Sequence, residues 1–151
     1  MRSVELFSGA GGMALGLEQA GFDSVALFER DADACATLRR NRPAWNLVQR
    51  DVRDVDFSPY GSVDLVAGGP PCQPFSMGGK AKGFQDDRDM FPQAVRAVRE
   101  LQPRAFIFEN VRGLLRSAFA NYVEFIRLQL TYPTFPVSDN VTLNLADAAK
   151  V

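Results

Sequence analysis

The sequence predicts an α/β fold with a mostly parallel sheet, and three observations support this fold class. Short apolar runs alternate along the chain with segments of helical periodicity. One of the runs, at 105–108, is apolar throughout, as the strands of parallel sheets are. Glycines, acidic residues and a cysteine follow the apolar runs, and ligand sites in open parallel sheets lie at those strand ends.

The first half of the chain is predicted to contain four strands and two helices. The strands are expected at 3–7, 25–28, 47–48 and 63–67. A first helix at 12–20 is followed by Gly21, which is placed to cap it. Asp31 can cap a second helix that ends at Asn41, because Pro43 prevents its continuation.

The second half is predicted to contain one strand between two helices. The first of these helices carries a stripe with spacings of four, three and three, formed by Phe91, Val95, Val98 and Leu101. Residues 105–108 then form a fifth strand that is suited to burial on both faces. A further apolar stripe from Phe119 to Leu130 predicts the last helix, and 131–151 show no period that predicts an element.

Composition and charge are those of a soluble globular domain. No apolar run approaches the roughly 20 residues that span a bilayer, so no membrane segment is expected. The chain has no histidine and only two cysteines, which excludes a Cys–His dyad and gives no reason to expect a metal. The cysteines lie in separate contexts, which indicates a reducing cytoplasm. Residues 76–116 carry eight basic and five acidic residues, an excess too small to establish DNA binding alone.

A glycine-rich turn follows the first predicted strand. It runs from Phe7 to Gly12, allows a ligand to approach the backbone, and opens a helix whose N-terminus favours negative charge. The pattern G-x-G-x-x-A, with Glu29 near the expected ribose position, fits NAD as well as another adenosine cofactor. Asp51 could accept a hydrogen bond from an adenine amine. A turn without a ligand, and helix caps at Glu29 and Asp51, are the alternatives.

Two later motifs discriminate between NAD and another adenosine cofactor. Pro71-Cys72-Gln73 follows the fourth strand, and Glu109-Asn110-Val111 follows the fifth. Together with FSGAGG, Glu29, Asp51 and a glycine-bearing loop, in this order, they resemble the motifs of the DNA cytosine-5 methyltransferases. The resemblance covers residues 3–130 and implies a Rossmann-like methyltransferase fold that depends on S-adenosyl-L-methionine. We therefore expect a cofactor-binding and catalytic part at 1–130 and a tail without predicted structure at 131–151.

The resemblance places the cofactor among the residues that follow the first four strands. S-adenosyl-L-methionine is expected to contact Phe7, Ser8, Gly9, Ala10, Gly11, Gly12, Glu29, Arg30, Asp51, Val52, Gly69 and Pro71.

The resemblance also assigns the chemistry to Cys72, Glu109 and Asn110. A thiolate of Cys72 would add to carbon 6 of a cytosine and so make carbon 5 nucleophilic. Glu109 would protonate or hydrogen-bond ring nitrogen 3, and Asn110 would hold the loop and the carboxylate. The alternative for Cys72 is an inert loop thiol, whereas Cys35, between two alanines in a helix, is predicted to fill the core.

The implied partner is DNA with a cytosine flipped out of the duplex. Segment 77–84 combines glycines with lysines and is similar to the family's loop that closes over flipped DNA. DNA contacts are expected from Gln73, Ser76, Lys80, Lys82 and Arg88. A flexible surface loop is the alternative for the two lysines.

The family's later motifs are not recognisable after Val111. A Gln-x-Arg-x-Arg segment, a target-recognition region and a final helix would be expected there. We therefore predict an incomplete sheet with an uncovered edge, and a complementary polypeptide that carries the missing region, in a truncated or split enzyme. The alternatives are an inactive remnant that at most binds S-adenosylmethionine and, more remotely, an NAD-dependent oxidoreductase.

Overall fold

The structure is a computed structural model that describes residues 1–71 and 89–134. Within these ranges the strands are β1 (Arg2–Leu6), β2 (Asp23–Glu29), β3 (Leu47–Gln49), β4 (Leu65–Gly68) and β5 (Ala105–Phe108). The α-helices are α1 (Gly12–Gln19), α2 (Ala32–Asn41), α3 (Phe91–Leu101) and α4 (Ala120–Thr131). Several predicted site residues lie outside the described ranges: Cys72, Gln73, Ser76, Lys80, Lys82 and Arg88.

The five described strands form one parallel sheet in the order β3-β2-β1-β4-β5. The chain builds outward from β1 to β3 and then returns to the other side of β1 with β4. Leu6 at the end of β1 is in register with Phe28 of β2 and Gly68 of β4, so the strand ends lie close together. The predicted α/β fold with a parallel sheet is confirmed, and its topological switch point lies between β1 and β4.

Helices α1 and α2 begin and end at the residues that the sequence marks as helix ends. Gly11 and Gly21 flank α1 with φ of 88° and 84°, values in the left-handed region that glycine tolerates. The Asp31 carboxylate caps α2 by accepting hydrogen bonds from the N–H groups of Asp33 and Ala34. A short 3₁₀ turn at Ser117–Phe119 precedes α4, so this helix begins one residue later than its apolar stripe suggests.

The largest apolar cluster packs α3 against one face of the sheet. Val4 and Leu6 of β1 meet Ala94 and Val98 of α3 there, and Phe28 makes a perpendicular ring contact with Phe57. A second cluster joins α3 to α4 and is formed by Phe91, Leu114, Tyr122 and Ile126. No helix in the described parts of the chain is long and apolar enough to cross a membrane.

The predicted burial of β5 on both faces is wrong. The strand pairs with β4, but Phe106 is 40% exposed and Ile107 is 53% exposed. Side chains of successive strand residues point to opposite faces, so both faces of β5 reach solvent. The reason is its position, because β5 is the last strand of the described sheet and neither Phe106 nor Ile107 belongs to the apolar clusters that α3 and α4 form with the sheet.

Candidate functional site

A cavity of about 370 Å³ opens at the carboxyl edge of the sheet. Six residues that were predicted to bind a cofactor line it: Phe7, Glu29, Arg30, Asp51, Val52 and Pro71. The other six predicted cofactor residues, Ser8, Gly9, Ala10, Gly11, Gly12 and Gly69, do not line this cavity. The strand ends thus bring together side chains that lie more than 60 positions apart in sequence.

The lining also includes four residues that the sequence reasoning missed, namely Phe28, Arg50, Arg53 and Met90. Phe28, Arg50 and Arg53 are within two positions of Glu29 or Asp51, so the motif spacing could have indicated them. Met90 is the residue before α3 and carries no comparable sequence signal.

The turn between β1 and α1 has an unusual backbone. Phe7 has a φ of 57°, which costs energy for a residue with a β-carbon, and Gly9 follows with a φ of 52°. The Ser8 N–H donates to the Phe28 carbonyl at 3.1 Å, which ties the turn to the end of β2. A strained non-glycine residue at a cavity wall is typical of a functional site.

Gly11 lies where the glycine turn meets α2. A β-carbon at this position would lie 2.5 Å from Leu38 Cδ2 and 3.0 Å from the ring of Trp45. The left-handed φ and the lack of space both require glycine here. The second glycine of the motif therefore serves close packing between the turn and α2.

The Glu29 carboxylate is held by three backbone N–H donors. Oε2 accepts from Gly9 at 2.8 Å, and Oε1 accepts from Arg30 at 2.7 Å and from Asp31 at 2.8 Å. A carboxylate offers about four acceptor positions, so these bonds fix its orientation and leave Oε2 with a further acceptor position. Glu29 thus connects the glycine turn to the end of β2.

Asp51 is surrounded by arginine. Its Oδ2 accepts from Arg53 at 2.7 Å and from Arg30 at 3.1 Å, and its Oδ1 accepts from the side chain and the N–H of Arg53 at 3.0 Å. The hydrogen bonds from Arg53 hold the pKa of Asp51 far below its usual range, and Arg30 adds to this effect. Asp51 is therefore a carboxylate at neutral pH.

The ends of β4 and β5 lie side by side next to the cavity. The Glu109 N–H donates to the Gly68 carbonyl at 3.0 Å, and the Asn110 amide donates to the Pro70 carbonyl at 2.7 Å. A β-carbon on Gly69 would lie 3.4 Å from Glu109 Oε2, so the carboxylate is adjacent to this glycine. The segment before position 72 is therefore fixed to both Glu109 and Asn110.

The residues of the cavity fit an adenosine cofactor. Phe7, Phe28, Val52 and Met90 supply apolar surface, and Glu29 and Asp51 supply oriented acceptors for hydroxyl or amine donors. No group of three or more Cys, Asp or Glu within residues 1–71 and 89–134 is arranged to hold a metal ion.

Comparison with known proteins agrees with this geometry. Residues 1–145 match the family model described as C-5 cytosine-specific DNA methylase. The chain is 54% identical over 120 residues to the Type II methyltransferase M.NgoMIV of Neisseria gonorrhoeae, covering 80% of this chain and 38% of that protein. It is 53% identical over 130 residues to the Type II methyltransferase M.Eco47II of Escherichia coli, covering 85% of this chain and 31% of that protein.

Solved structures show the same fold. The crystal structure of a DNMT2 mutant from Spodoptera frugiperda superimposes with a TM-score of 0.65 and 26% identity, over 85% of this chain and 41% of that chain. The Dnmt2 methyltransferase of S. pombe gives a TM-score of 0.59 at 26% identity, over 83% and 41% of the two chains.

The chain spans about a third of the length of these two curated relatives. The family model nevertheless matches almost the whole chain, including both described ranges. The structural matches are to methyltransferases with a Rossmann-like sheet of this kind. The chain therefore belongs to the C-5 cytosine-specific DNA methylase family.

Proposed function

We propose that this chain forms the cofactor-binding and catalytic part, at 1–130, of a DNA cytosine-5 methyltransferase. The observation that carries the proposal is a juxtaposition at one edge of the sheet. The cavity with Glu29 and Asp51 lies beside Pro71, and the same segment is bonded to Asn110 and adjacent to Glu109. A methyl donor and a base that accepts the methyl group need neighbouring sites of this kind.

S-adenosyl-L-methionine is the proposed occupant of the cavity, where it would supply an electrophilic methyl group. Glu29 would accept from the ribose with the acceptor position left on Oε2. Asp51 would accept a hydrogen bond from the adenine amine. All four acceptor positions of the Asp51 carboxylate are engaged, so Arg30 would have to release Oδ2 first. The Arg30 side of this ion pair is 68% exposed and Asp51 keeps its hydrogen bonds from Arg53, so such an exchange should cost on the order of 1 kcal/mol.

We assign the covalent step to Cys72, which lies outside the described residues and directly follows Pro71. Its thiolate adds to carbon 6 of the flipped cytosine, and the displaced electron pair makes carbon 5 nucleophilic. Glu109 donates a proton or a hydrogen bond to ring nitrogen 3, where negative charge develops. Loss of the carbon 5 proton to water after methyl transfer then expels the thiolate.

Asn110 has a positioning role in this proposal. Its amide donates to the Pro70 carbonyl, and its own Oδ1 accepts from the Val111 N–H at 2.9 Å. The side chain thus links the two segments that carry Cys72 and Glu109. DNA contacts are proposed for Gln73, Ser76, Lys80, Lys82 and Arg88, which lie outside the described residues.

A further polypeptide segment is proposed to supply target recognition. The exposed Phe106 and Ile107 of β5 support this, because an apolar strand at a sheet edge is stabilised by a covering partner. The segment would cover the same exposed face and edge of β5 whether it belongs to the same gene product or to a second subunit.

The proposal is tested by methyl transfer from labelled cofactor to DNA. We expect transfer when the chain is combined with a polypeptide that carries a target-recognition region, and we expect Cys72→Ser to abolish it. The alkoxide of serine is far harder to form near neutral pH than the thiolate. Glu109→Gln should also reduce turnover severely, since an amide supplies no proton.

Calorimetry separates the cofactor assignment from the catalytic one. Cys72→Ser should bind S-adenosylhomocysteine as the unchanged chain does. Tighter binding of NAD than of S-adenosylhomocysteine would refute the cofactor assignment. Comparable methylation by the Cys72→Ser protein would refute the assignment of the nucleophile, and cofactor binding without transfer in any combination would indicate an inactive remnant.

A further inference from the structure

We propose that Arg96 of α3 is a positioning residue for the cofactor cavity. It holds the 3₁₀ turn Val52–Asp54 against α3, so that Asp51 and Val52 keep their places in the cavity wall. The inference rests on the proposed function, since the cavity is assigned there to S-adenosylmethionine. Arg96 itself does not line the cavity, and its effect is therefore transmitted through the backbone of the turn.

The guanidinium of Arg96 binds two backbone carbonyls, one at the first residue of the turn and one directly after the turn. Its Nη2 donates to the Val52 carbonyl at 2.6 Å, and its Nη1 donates to the Val55 carbonyl at 3.0 Å. These carbonyls lie more than 40 positions before Arg96 in sequence, so the bonds connect α3 to a distant part of the chain. Charge-assisted bonds of this kind are about twice as strong as neutral ones.

The Arg96 side chain is itself held in a single place. Its Nε donates to Gln93 at 2.9 Å, and its Nη1 lies 3.1 Å from a Glu100 oxygen. The guanidinium also lies over the ring of Phe57, 4.8 Å from the ring centroid, and its side chain is only 25% exposed. A planar guanidinium that is held from three directions fixes the Val52 and Val55 carbonyls more accurately than the flexible ammonium group of a lysine would.

The N-terminal end of the same helix also reaches the cavity. Met90, which precedes α3, lines the cavity, and its N–H donates to the Pro71 carbonyl at 3.1 Å. Met90 and Arg96 are six positions apart, which corresponds to about 9 Å along a helix. Arg96 connects the Val52 side of the cavity to α3, and Met90 connects the Pro71 side to the start of the same helix, so α3 sets the distance between these two parts of the wall.

The test compares three variants of the full chain. Arg96→Met removes the donors and keeps an unbranched side chain, and Arg96→Lys keeps the charge but not the fork. Arg99→Gln is the matched control, because Arg99 lies on the exposed side of α3 and bonds the Pro133 carbonyl, away from the cavity. The dissociation constant for S-adenosylhomocysteine is measured by calorimetry, and thermal unfolding shows the folded fraction of each variant.

Amide hydrogen exchange provides a readout that needs no cofactor. The Asp54 N–H donates to the Asp51 carbonyl at 3.0 Å, and the Val55 N–H donates to the Val52 carbonyl at 3.2 Å. These two amides report on the closed turn directly. If Arg96 holds the turn, both should exchange faster in Arg96→Met, while amides of the sheet keep their rates.

We expect Arg96→Met to weaken S-adenosylhomocysteine binding about tenfold, which corresponds to the loss of one hydrogen bond of about 1.4 kcal/mol, because the turn would no longer hold Asp51 in the cavity wall. Arg96→Lys should lie between this variant and the unchanged chain, and Arg99→Gln should match the unchanged chain. A folded Arg96→Met or Arg96→Lys protein with unchanged affinity and unchanged exchange overturns the inference. If the unchanged chain binds no S-adenosylhomocysteine, the cofactor assignment fails, and the exchange rates alone decide whether Arg96 holds the turn.

Discussion

Replacing Glu5 by glutamine should change how the stability of the fold depends on pH. Glu5 lies in the central strand β1, is 2% exposed, and is in register with the buried Leu27 and Ala67. Its Oε2 has no hydrogen-bond partner within the described residues. Burial raises the pKa of Glu5 from 4.5 to about 7, and a hydrogen bond from Ser8 offsets only part of this rise.

The direction and size of the effect follow from this pKa. Because the folded state binds this proton more tightly, the contribution of Glu5 to the unfolding free energy is highest below pH 4.5 and falls until the pH exceeds about 7. The difference between 4.5 and about 7, at about 1.4 kcal/mol per pH unit, gives a loss of about 3 kcal/mol. Glutamine cannot ionise, so Glu5→Gln should lack this loss.

The measurement is urea unfolding of both proteins at pH 4 and pH 8. The free-energy difference between Glu5→Gln and the unchanged chain should shift by about 3 kcal/mol in favour of the variant on going to pH 8. An unpaired amide of Gln destabilises the variant equally at both pH values and cancels in this comparison. Glu124→Gln, at an exposed ion pair with Arg127, is the control and should show no such gain. An equal difference at pH 4 and pH 8 would show that Glu5 is not desolvated.

Two further substitutions test the packing around the site. Gly11→Ala should lower the unfolding free energy by about 1–3 kcal/mol, through its left-handed φ and the contact with Leu38, whereas Gly12→Ala, with nothing within 4 Å, should be nearly neutral in the same denaturation assay. Tyr122→Phe removes the hydroxyl that donates to the Asp89 carboxylate and should lower the unfolding free energy by about 1.5–3 kcal/mol. The Phe91 N–H, which donates to the same carboxylate, should then exchange faster. An unchanged unfolding midpoint in Gly11→Ala or Tyr122→Phe would contradict the corresponding contact.

The strands and helices could be predicted because they depend on local pattern. The apolar runs at 25–28 and 105–108 have the short length and the aromatic and β-branched content that favour strands, and Asp31 and Gly21 mark helix ends by their own chemistry. The exposure of Phe106 could not be predicted in the same way. An apolar strand has the same sequence pattern at the centre and at the edge of a sheet, and the helices and strands packed around it decide its burial.

The sequence could predict which residues lie at the strand ends and so form the candidate site, but it could not predict their hydrogen-bond partners. Glu29 and Asp51 lie in the cavity wall because parallel strands end at one edge. That Arg53 and Arg30 engage Asp51 depends on side-chain reach, which no periodicity encodes. Arg96 was missed for the same reason, since its pattern shows only a polar position on an amphipathic helix.

The two glycines before Pro70 explain how the β4 and β5 ends can meet. A β-carbon on Gly68 would lie 2.4 Å from the Leu6 carbonyl oxygen, which is too close for any side chain. With any other residue at position 68, the last residue of β4 could not pair with Leu6 of β1. The Gly68 carbonyl in turn accepts from Glu109, and Gly69 leaves room for the Glu109 carboxylate. A side chain at Gly68 would therefore displace Glu109 together with the end of β4, so the position of the proposed proton donor depends on the fold of the central sheet.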